Sequence, residues 1–216
     1  MTPARSDADD ISALDGILGV SRETGERLER FVGLLKKWQA ADNLVAAGTL
    51  PLVWHRHVAD SAQLVTLFPD ARRWLDLGSG AGFPGLVTAI LLAGMPGAHV
   101  DLIESNARKC AFLRQVIRET EAPATVHQDR IETLLAGWSA PVDRVSARGL
   151  ARLDRLFSLA EPVLFAGAAG AFHKGQDFER EIEETAKSWK FDLVSYPSLT
   201  DSRGVILDIR RLRRKR

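Results

Sequence analysis

The apolar positions of this chain change their period at Arg73, and the change divides the sequence. Before it, Leu28, Phe31, Val32, Leu34, Leu35 and Trp38 recur at helical spacing with Arg and Lys between them, which predicts one amphipathic helix over Glu23 to Ala40. Asn43-Leu44 breaks that helix, and Leu52 to Phe68 predicts a second one carrying His55, His57, Asp60 and Ser61. From Arg73 onward short apolar runs alternate with helical stretches: WLDL, helix Pro84 to Ala93, HVDLIE, helix Asn106 to Glu119, ATVHQ, a short helix after Arg130, VDRVS, helix Leu153 to Phe165, GAFHK and helix Phe178 to Trp189. Such a βαβ alternation implies a parallel sheet with helices on both faces. FDLVSY and GVILDIRRL then follow with only the turn-like Pro197 to Gly204 between them, so they are expected to pair as an antiparallel hairpin. The pattern predicts an N-terminal helical extension over 1–70 and an α/β domain over 71–216.

Composition narrows the class. A chain of 216 residues that is 45% hydrophobic can bury one good core. Its start, MTPARSDADD, lacks the basic and apolar stretches of a signal peptide, and its longest apolar stretch, Leu86 to Ala93, is far shorter than the ~20 residues that span a bilayer. A cytoplasmic protein is expected. Cys110 is the only cysteine, which excludes an internal disulfide and a multi-cysteine zinc site. Net charge is +1 but uneven: Ser6 to Asp10 is acidic, whereas the last seven residues, RRLRRKR, hold six cations. That basic tail from Arg210 reads either as a solvated end or as a contact for nucleic-acid phosphates.

Candidate chemistry gathers in Trp74 to Leu86, WLDLGSGAGFPGL, at the end of the first strand and the start of the first helix of the α/β part. Ligands bind there in open α/β sheets. Gly80 to Gly85 fits G-x-G-x-x-G, the dinucleotide fingerprint, but begins two residues beyond the expected strand end. Counted from Gly78, the third required position is Phe83, which cannot give the close helix-strand contact of a glycine. Asp76, Gly78, Gly80 and Gly82 instead fit the acid-x-G-x-G-x-G turn of S-adenosylmethionine (SAM) enzymes, whose ligand has no phosphate. An acid there can face an ammonium or a sulfonium.

Glu104, at the tip of the second strand, is placed to accept the two ribose hydroxyls of a nucleoside, or to act as an acid before the helix from Asn106. Gln128 to Glu132 follows the third strand, where an adenine edge would lie. After the fourth strand stands Ser146-Ala147-Arg148-Gly149, not the Asn/Asp-Pro-Pro-Tyr segment frequent in exocyclic-amine methyltransferases; Arg148 suits a carboxylate or a phosphate of a ligand, or else a salt bridge at the strand end. Lys174, after the fifth strand, lies on the same rim and reads either as a contact for RNA phosphate or a target base, or as an ordinary surface lysine. His55, His57 and Asp60 do not form a metal site on a helix, because residues two apart face different ways. His57 and Asp60, three apart, share one face and could form a hydrogen-bonded pair that joins the extension to the sheet.

From about Lys36 to Gly175 the chain resembles the ribosomal small-subunit RNA methyltransferase G family, also called glucose-inhibited division protein B. The likeness is carried by KWQAADNL, HVADS, LDLGSGAGFPG, IESNARKCAFLRQV, DRIE, VSARG and FHKG. Gln39 stands where the family usually has Asn, and Val45 where Thr is common. The resemblance implies a class I SAM-dependent methyltransferase, Rossmann-like, with a mostly parallel seven-stranded sheet. It implies methyl transfer from SAM, giving S-adenosyl-L-homocysteine, to N7 of a guanine in the 16S rRNA loop near nucleotide 527. It implies cofactor contacts at Gly78, Phe83, Ile131, Glu132 and Arg148, joining Asp76, Gly80, Gly82 and Glu104 from the motif itself, with Arg148 and Lys174 as the candidate catalytic pair. It also allows His57 and Asp60 a role near the RNA or cofactor pocket. The partner would be 16S rRNA, the 30S subunit or an assembly intermediate, met by a monomer. A small-molecule SAM methyltransferase and an NAD-binding protein are the competing readings.

Overall fold

A computed structural model describes residues 9–215; the acidic start through Ala8, and Arg216 of the basic run, lie outside the described residues. Seven strands form one sheet in the order β3-β2-β1-β4-β5-β7-β6: β1 Arg73–Leu77, β2 His99–Glu104, β3 Ala124–Gln128, β4 Arg144–Arg148, β5 Ala169–Lys174, β6 Trp189–Pro197 and β7 Val205–Arg214. β1 to β5 pair in parallel, whereas β7 runs antiparallel to both β5 and β6. The predicted hairpin therefore forms, with β7 inserted between β5 and β6. The chain order reverses at β1 and β4, and crossover helices leave from the C-terminal ends of both strands, so the switch point of the sheet lies there.

Alternation along the strands sends side chains into two separate cores. Trp74, Val100 and Leu102 face one side with helices α1 Arg22–Gln39, α2 Asp60–Leu67, α3 Gly85–Leu91 and α4 Ala107–Thr120. Leu75, Leu77, Ile103 and Val145 face the other, with α5 Ile131–Leu135, α6 Leu153–Phe165 and α7 Phe178–Thr185 over it or at its rim. The N-terminal helices belong to the first core: Leu28, Phe31 and Leu35 of α1 are fully buried, and Phe31 packs against Phe83 and Phe112 with ring centroids 5.1 and 6.2 Å apart. Ser21 caps α1 by accepting a hydrogen bond from the amide of Thr24.

Three elements differ from the sequence expectation. The helix expected over Leu52 to Phe68 is a 3-10 segment over Ala47–Leu52, a wide turn over Trp54–Ala59 and then α2. The Asp9 carboxylate accepts from the amides of Trp54 and His55, at 2.9 and 3.0 Å, and caps this start from a distant part of the chain. The helix expected to reach Trp189 ends at Thr185, because Trp189 is buried edge-on against Phe157 as the first residue of β6.

The basic run is likewise not a free tail. It continues β7, with Leu212 buried, Arg210 paired to Asp208, Arg211 to Asp192, and Arg214 to Glu161 while its guanidinium covers the Trp189 ring. Strand pairing with β6 fixes residues that like-charge repulsion alone would leave solvated.

Among the described residues no helix is long and apolar enough to cross a membrane.

Candidate cofactor and acceptor site

The glycine turn sits where the motif predicts, immediately after β1. Gly78, Gly80 and Gly82 all have positive φ (+64°, +55° and +88°), a left-handed path that side chains with a Cβ rarely follow. Glu104 holds this path open from the neighbouring strand. Its Oε2 accepts from the Gly80 amide at 3.0 Å and its Oε1 from the Asn106 amide at 2.8 Å, while Asn106 itself caps α4. One carboxylate thus fixes the cofactor turn relative to the next helix. Of the two roles that the sequence leaves open for Glu104, this is the acid before the helix from Asn106, and each of its oxygens retains a further lone pair.

Asp76 is 1% exposed under the turn; its Oδ1 accepts from the Ser146 hydroxyl at 2.6 Å and its Oδ2 has no hydrogen-bond partner. Burial raises its pKa to about 6. Gly85, the first residue of α3, lies against it: a Cβ there would come within 2.6 Å of Asp76 Oδ2 and 2.4 Å of a Leu102 methyl. The close helix-strand contact that the sequence argument denies to Phe83 is therefore made by Gly85. The third position of the Gly80 to Gly85 frame does what a dinucleotide fingerprint asks of it, so the glycine pattern by itself does not separate the two ligand classes.

Arg148, at the end of β4, ties the N-terminal extension to the sheet. Its Nη1 donates to Asp60 Oδ2 and to the Arg56 carbonyl, both at 3.1 Å, and its Nη2 donates to His57 Nδ1 at 2.8 Å. His57 and Asp60 do share a helical face, but they do not bond to each other as the spacing suggests. A third group, brought by β4 from 88 residues away, lies between them. The carboxylate that suits Arg148 is thus supplied by the chain itself.

Because His57 accepts at Nδ1, its proton is on Nε2, which bonds Thr49 Oγ1 at 2.9 Å. Burial, and then the charge of Arg148, lower the His57 pKa to about 4. Its ring stacks on Phe83 with centroids 5.0 Å apart. Burial alone would raise the Asp60 pKa, but the charge of Arg148 and the hydroxyl of Thr200 hold it below the usual carboxylate value. Thr200 belongs to no sequence motif and reaches Asp60 from the β6–β7 connection.

Beside this cluster, at the C-terminal ends of β4 and β5, lies a cavity of about 440 Å³ bounded by His57, Asp60, Arg148, His173, Lys174, Asp177 and the 198–204 connection. Lys174 lines it with its ammonium paired to Glu181 Oε2 at 2.6 Å and donating to the Ala151 carbonyl at 3.0 Å. Two of its three protons are thereby engaged. Ile131 and Glu132 open α5 beyond β3, on the other flank of the turn; Ile131 is half-buried and exposed Glu132 pairs with Arg155. The structure brings Asp76, Gly78, Gly80, Gly82, Phe83 and Glu104 into one cradle, and Arg148 and Lys174 into the neighbouring cavity. The Phe83 and His57 rings lie at the boundary. A phosphate-free nucleoside fits the cradle: the orphaned Asp76 Oδ2 and the fixed Glu104 carboxylate offer acceptors, and the glycines bare the backbone.

The model of the family described as GidB, rRNA small subunit methyltransferase G, matches residues 24–206. A ribosomal RNA small subunit methyltransferase G of Bradyrhizobium sp. is 51% identical over 202 residues, covering 94% of this chain and 90% of that protein. Its counterpart in Parvibaculum lavamentivorans is 51% identical over 204 residues, with the same two coverages. Among solved structures, a cofactor-bound protein from MTB superposes with a TM-score of 0.59 at 13% identity, over 95% of this chain and 98% of that one. An O-methyltransferase from Bacillus cereus in complex with SAH superposes with a TM-score of 0.56 at 14% identity, over 94% and 96%. The structural likenesses establish a Rossmann-like methyltransferase fold, and the sequence likeness goes further: this chain belongs to the rRNA small subunit methyltransferase G (GidB) family.

Proposed function

We propose that this protein is a SAM-dependent methyltransferase of 16S rRNA, transferring methyl to N7 of a guanine in the loop near nucleotide 527. The observation that carries the reading is the cradle after β1, three left-handed glycines fastened by Glu104, opening beside a polar cavity in a chain of this family. Both halves are needed: a donor site and an acceptor site sharing one wall.

In this reading Glu104 accepts the ribose hydroxyls with its remaining lone pairs, Gly78 and Phe83 present backbone, and Asp76 offers its unpartnered Oδ2 to the amino-acid end. Ile131 and Glu132, at the start of α5, border the adenine. SAM supplies a methyl group on a cationic sulfonium. Guanine N7 carries a free lone pair at neutral pH, so the new N–C bond forms as the C–S bond breaks, with no proton to be removed first. The positive charge passes to the methylated base. Orientation of the two reactants is then the main task of the protein, an effect worth up to roughly 7–11 kcal/mol. Arg148, neutralised by Asp60 and locked by His57, fixes the shared wall through the Phe83 stack. Lys174 uses its remaining proton on the base or its phosphate.

The 16S rRNA would be met in the cytoplasm, as naked RNA, as the 30S subunit or as an assembly intermediate, by a monomer composed of the 1–70 extension and the 71–216 catalytic part. The test is methyl transfer from labelled SAM to 30S subunits isolated from a strain lacking the gene, followed by mapping of the modified base. Label at guanine N7 near nucleotide 527 is the expected result. Label only on small acceptors, or saturable binding of NADH without SAM, would overturn the reading.

A further inference from the structure

The cavity beside the glycine turn contains four carboxylates, and three are already engaged. Asp60 accepts from Arg148 and, at 2.9 Å, from the Thr200 hydroxyl. Glu181 accepts from Lys174 and from the Leu153 amide at 2.8 Å. Asp201 accepts from Arg56 and from the Arg203 amide, both at 3.0 Å. Asp177 has no ion pair or hydrogen bond from its side chain among the described residues. It stands at the N-cap of α7, where an Asp ordinarily accepts a backbone proton, yet makes no such bond.

A second acceptor in the same wall is also unused. His173 is 9% exposed, its Nε2 lies 3.1 Å from the Asp60 carbonyl, and its Nδ1 has no partner. A carbonyl oxygen only accepts, so Nε2 carries the proton and the Nδ1 of the neutral ring is an acceptor. Burial, ahead of the charge of Arg148, keeps that ring neutral by lowering its pKa. The cavity thus holds an exposed carboxylate with no partner, Asp177, and a buried acceptor with none, His173 Nδ1, beside the third proton of Lys174.

We propose that Asp177 is a specificity-determining residue that reads the Watson–Crick edge of the acceptor base, accepting from guanine N1–H and N2–H₂ while Lys174 donates to O6. The assignment rests on the N7-guanine reading given above. Guanine presents a carbonyl acceptor next to two adjacent donor groups, the complement of one ammonium proton beside a carboxylate with two free oxygens. Adenine has a lone pair at N1 and no amine at C2, so the same carboxylate would face an acceptor and be left unpaired. That contrast matters because adenine also has an N7 lone pair: selection between the two purines must come from the opposite edge of the ring. Enzymes acting on a base taken out of its stack read it through that edge, and a site built to hydrogen-bond a donor rejects the analogue lacking it.

The experiment compares Asp177→Ala and Asp177→Asn with the parent enzyme on reconstituted 30S particles bearing guanine, inosine or adenine at the acceptor position. Methyl transfer is followed in single turnover, and SAM binding by calorimetry. Inosine keeps N1–H and O6 but lacks the amine. The expected result for Asp177→Ala is a kcat/KM on guanine lowered about 10- to 100-fold, unchanged SAM affinity, and a guanine-to-inosine preference that shrinks towards one. Asp177→Asn, which keeps one acceptor oxygen, should fall between. Unchanged rate and unchanged guanine-to-inosine preference in Asp177→Ala would overturn the assignment while leaving the N7 reading intact. Failure of the parent enzyme to methylate the guanine particle at N7 would overturn both, and is seen before any variant is made.

Discussion

Arg148 and His57 share a hydrogen bond that fixes the charge of both: Nη2 of the arginine donates to Nδ1 of the histidine at 2.8 Å, which holds only while that nitrogen is unprotonated. The imidazole is therefore neutral, and it shares the Phe83 ring with the guanidinium, whose Cζ lies 5.2 Å from the ring centroid. The arginine charge is balanced instead by Asp60, 3.1 Å away. Every polar group in this wall depends on the protonation state of its neighbour.

Removing Arg148 should accordingly do more than remove one contact. Arg148→Ala leaves the Asp60 carboxylate without its main cation and the His57 acceptor unpaired, and breaking such a buried pair costs about 3–5 kcal/mol. The expected outcome is a loss of methyl transfer together with a lowered midpoint in urea unfolding. Arg148→Ala combined with Asp60→Asn should recover much of the stability and none of the activity. Equal stability of the single variant and the parent would contradict the buried pairing.

His57 introduces an acid limb. Its folded pKa, about 4, lies below the unfolded value near 6.5, so the unfolded chain binds the extra proton first as pH falls. Its contribution to stability is complete above pH 6.5 and is lost progressively between 6.5 and 4. Denaturation curves of His57→Gln against the parent should diverge at neutral pH and converge towards pH 4. A pH-independent difference would mean that His57 does not remain neutral.

Asp76 acts in the opposite sense. Its folded pKa, about 6, lies above the usual value of 3.8, so the ionised form is disfavoured by folding, and stability attributable to this group falls as pH rises from 4 to 6. Two units correspond to about 3 kcal/mol. Asp76→Asn, which cannot ionise, should be more stable than the parent at pH 7.5 by an amount of that order, while binding SAM more weakly. Stability and cofactor affinity measured on the same preparations would show the trade; a variant less stable at every pH would refute it.

Glu104→Gln exchanges one acceptor oxygen for a donor, so it can hold only one of the Gly80 and Asn106 amides and sets an NH2 against the other. Hydrogen bonds to a charged group are worth ~1.5–3 kcal/mol, so SAM affinity by calorimetry should drop by one to two decades, with a lowered melting temperature from the amide left unpaired. Glu104→Ala should lose more of both, since the Gly80 and Asn106 amides are then both unpaired.

Shortening the chain at Leu212 should now destabilise it. Leu212 is 4% exposed and Arg214 both pairs with Glu161 and covers Trp189, so the last strand contributes to the second core; losing a buried leucine alone costs about 2–5 kcal/mol. Exposed Arg213 is a cleaner probe of phosphate contact. Arg213→Ala should leave melting unchanged and reduce the salt slope of RNA binding by roughly 0.7–0.9 if that side chain meets a phosphate. An unaltered slope would remove it from the RNA interface.

The sequence determined what is written in local periodicity and in residues whose chemistry has few uses. The strand-helix alternation after Arg73, the antiparallel final hairpin, the glycine turn at 78, 80 and 82, and an acid at the tip of the second strand are all legible. Each is fixed by neighbours a few positions away. Tertiary structure decided the partners. Nothing local shows that β7 inserts between β5 and β6, that the run Arg210 to Arg214 is held by Asp208, Asp192 and Glu161, or that Trp189 starts a strand, because burial against Phe157 overrides helical propensity there. The i, i+3 spacing put His57 and Asp60 on one face but could not supply the arginine between them. Gly85 looked like the last letter of a dinucleotide motif, and only its approach to Asp76 and Leu102 shows why a side chain is excluded there. Spacing specifies which groups can meet along one element; which groups do meet across elements depends on how two faces pack, and that is set by the whole sheet.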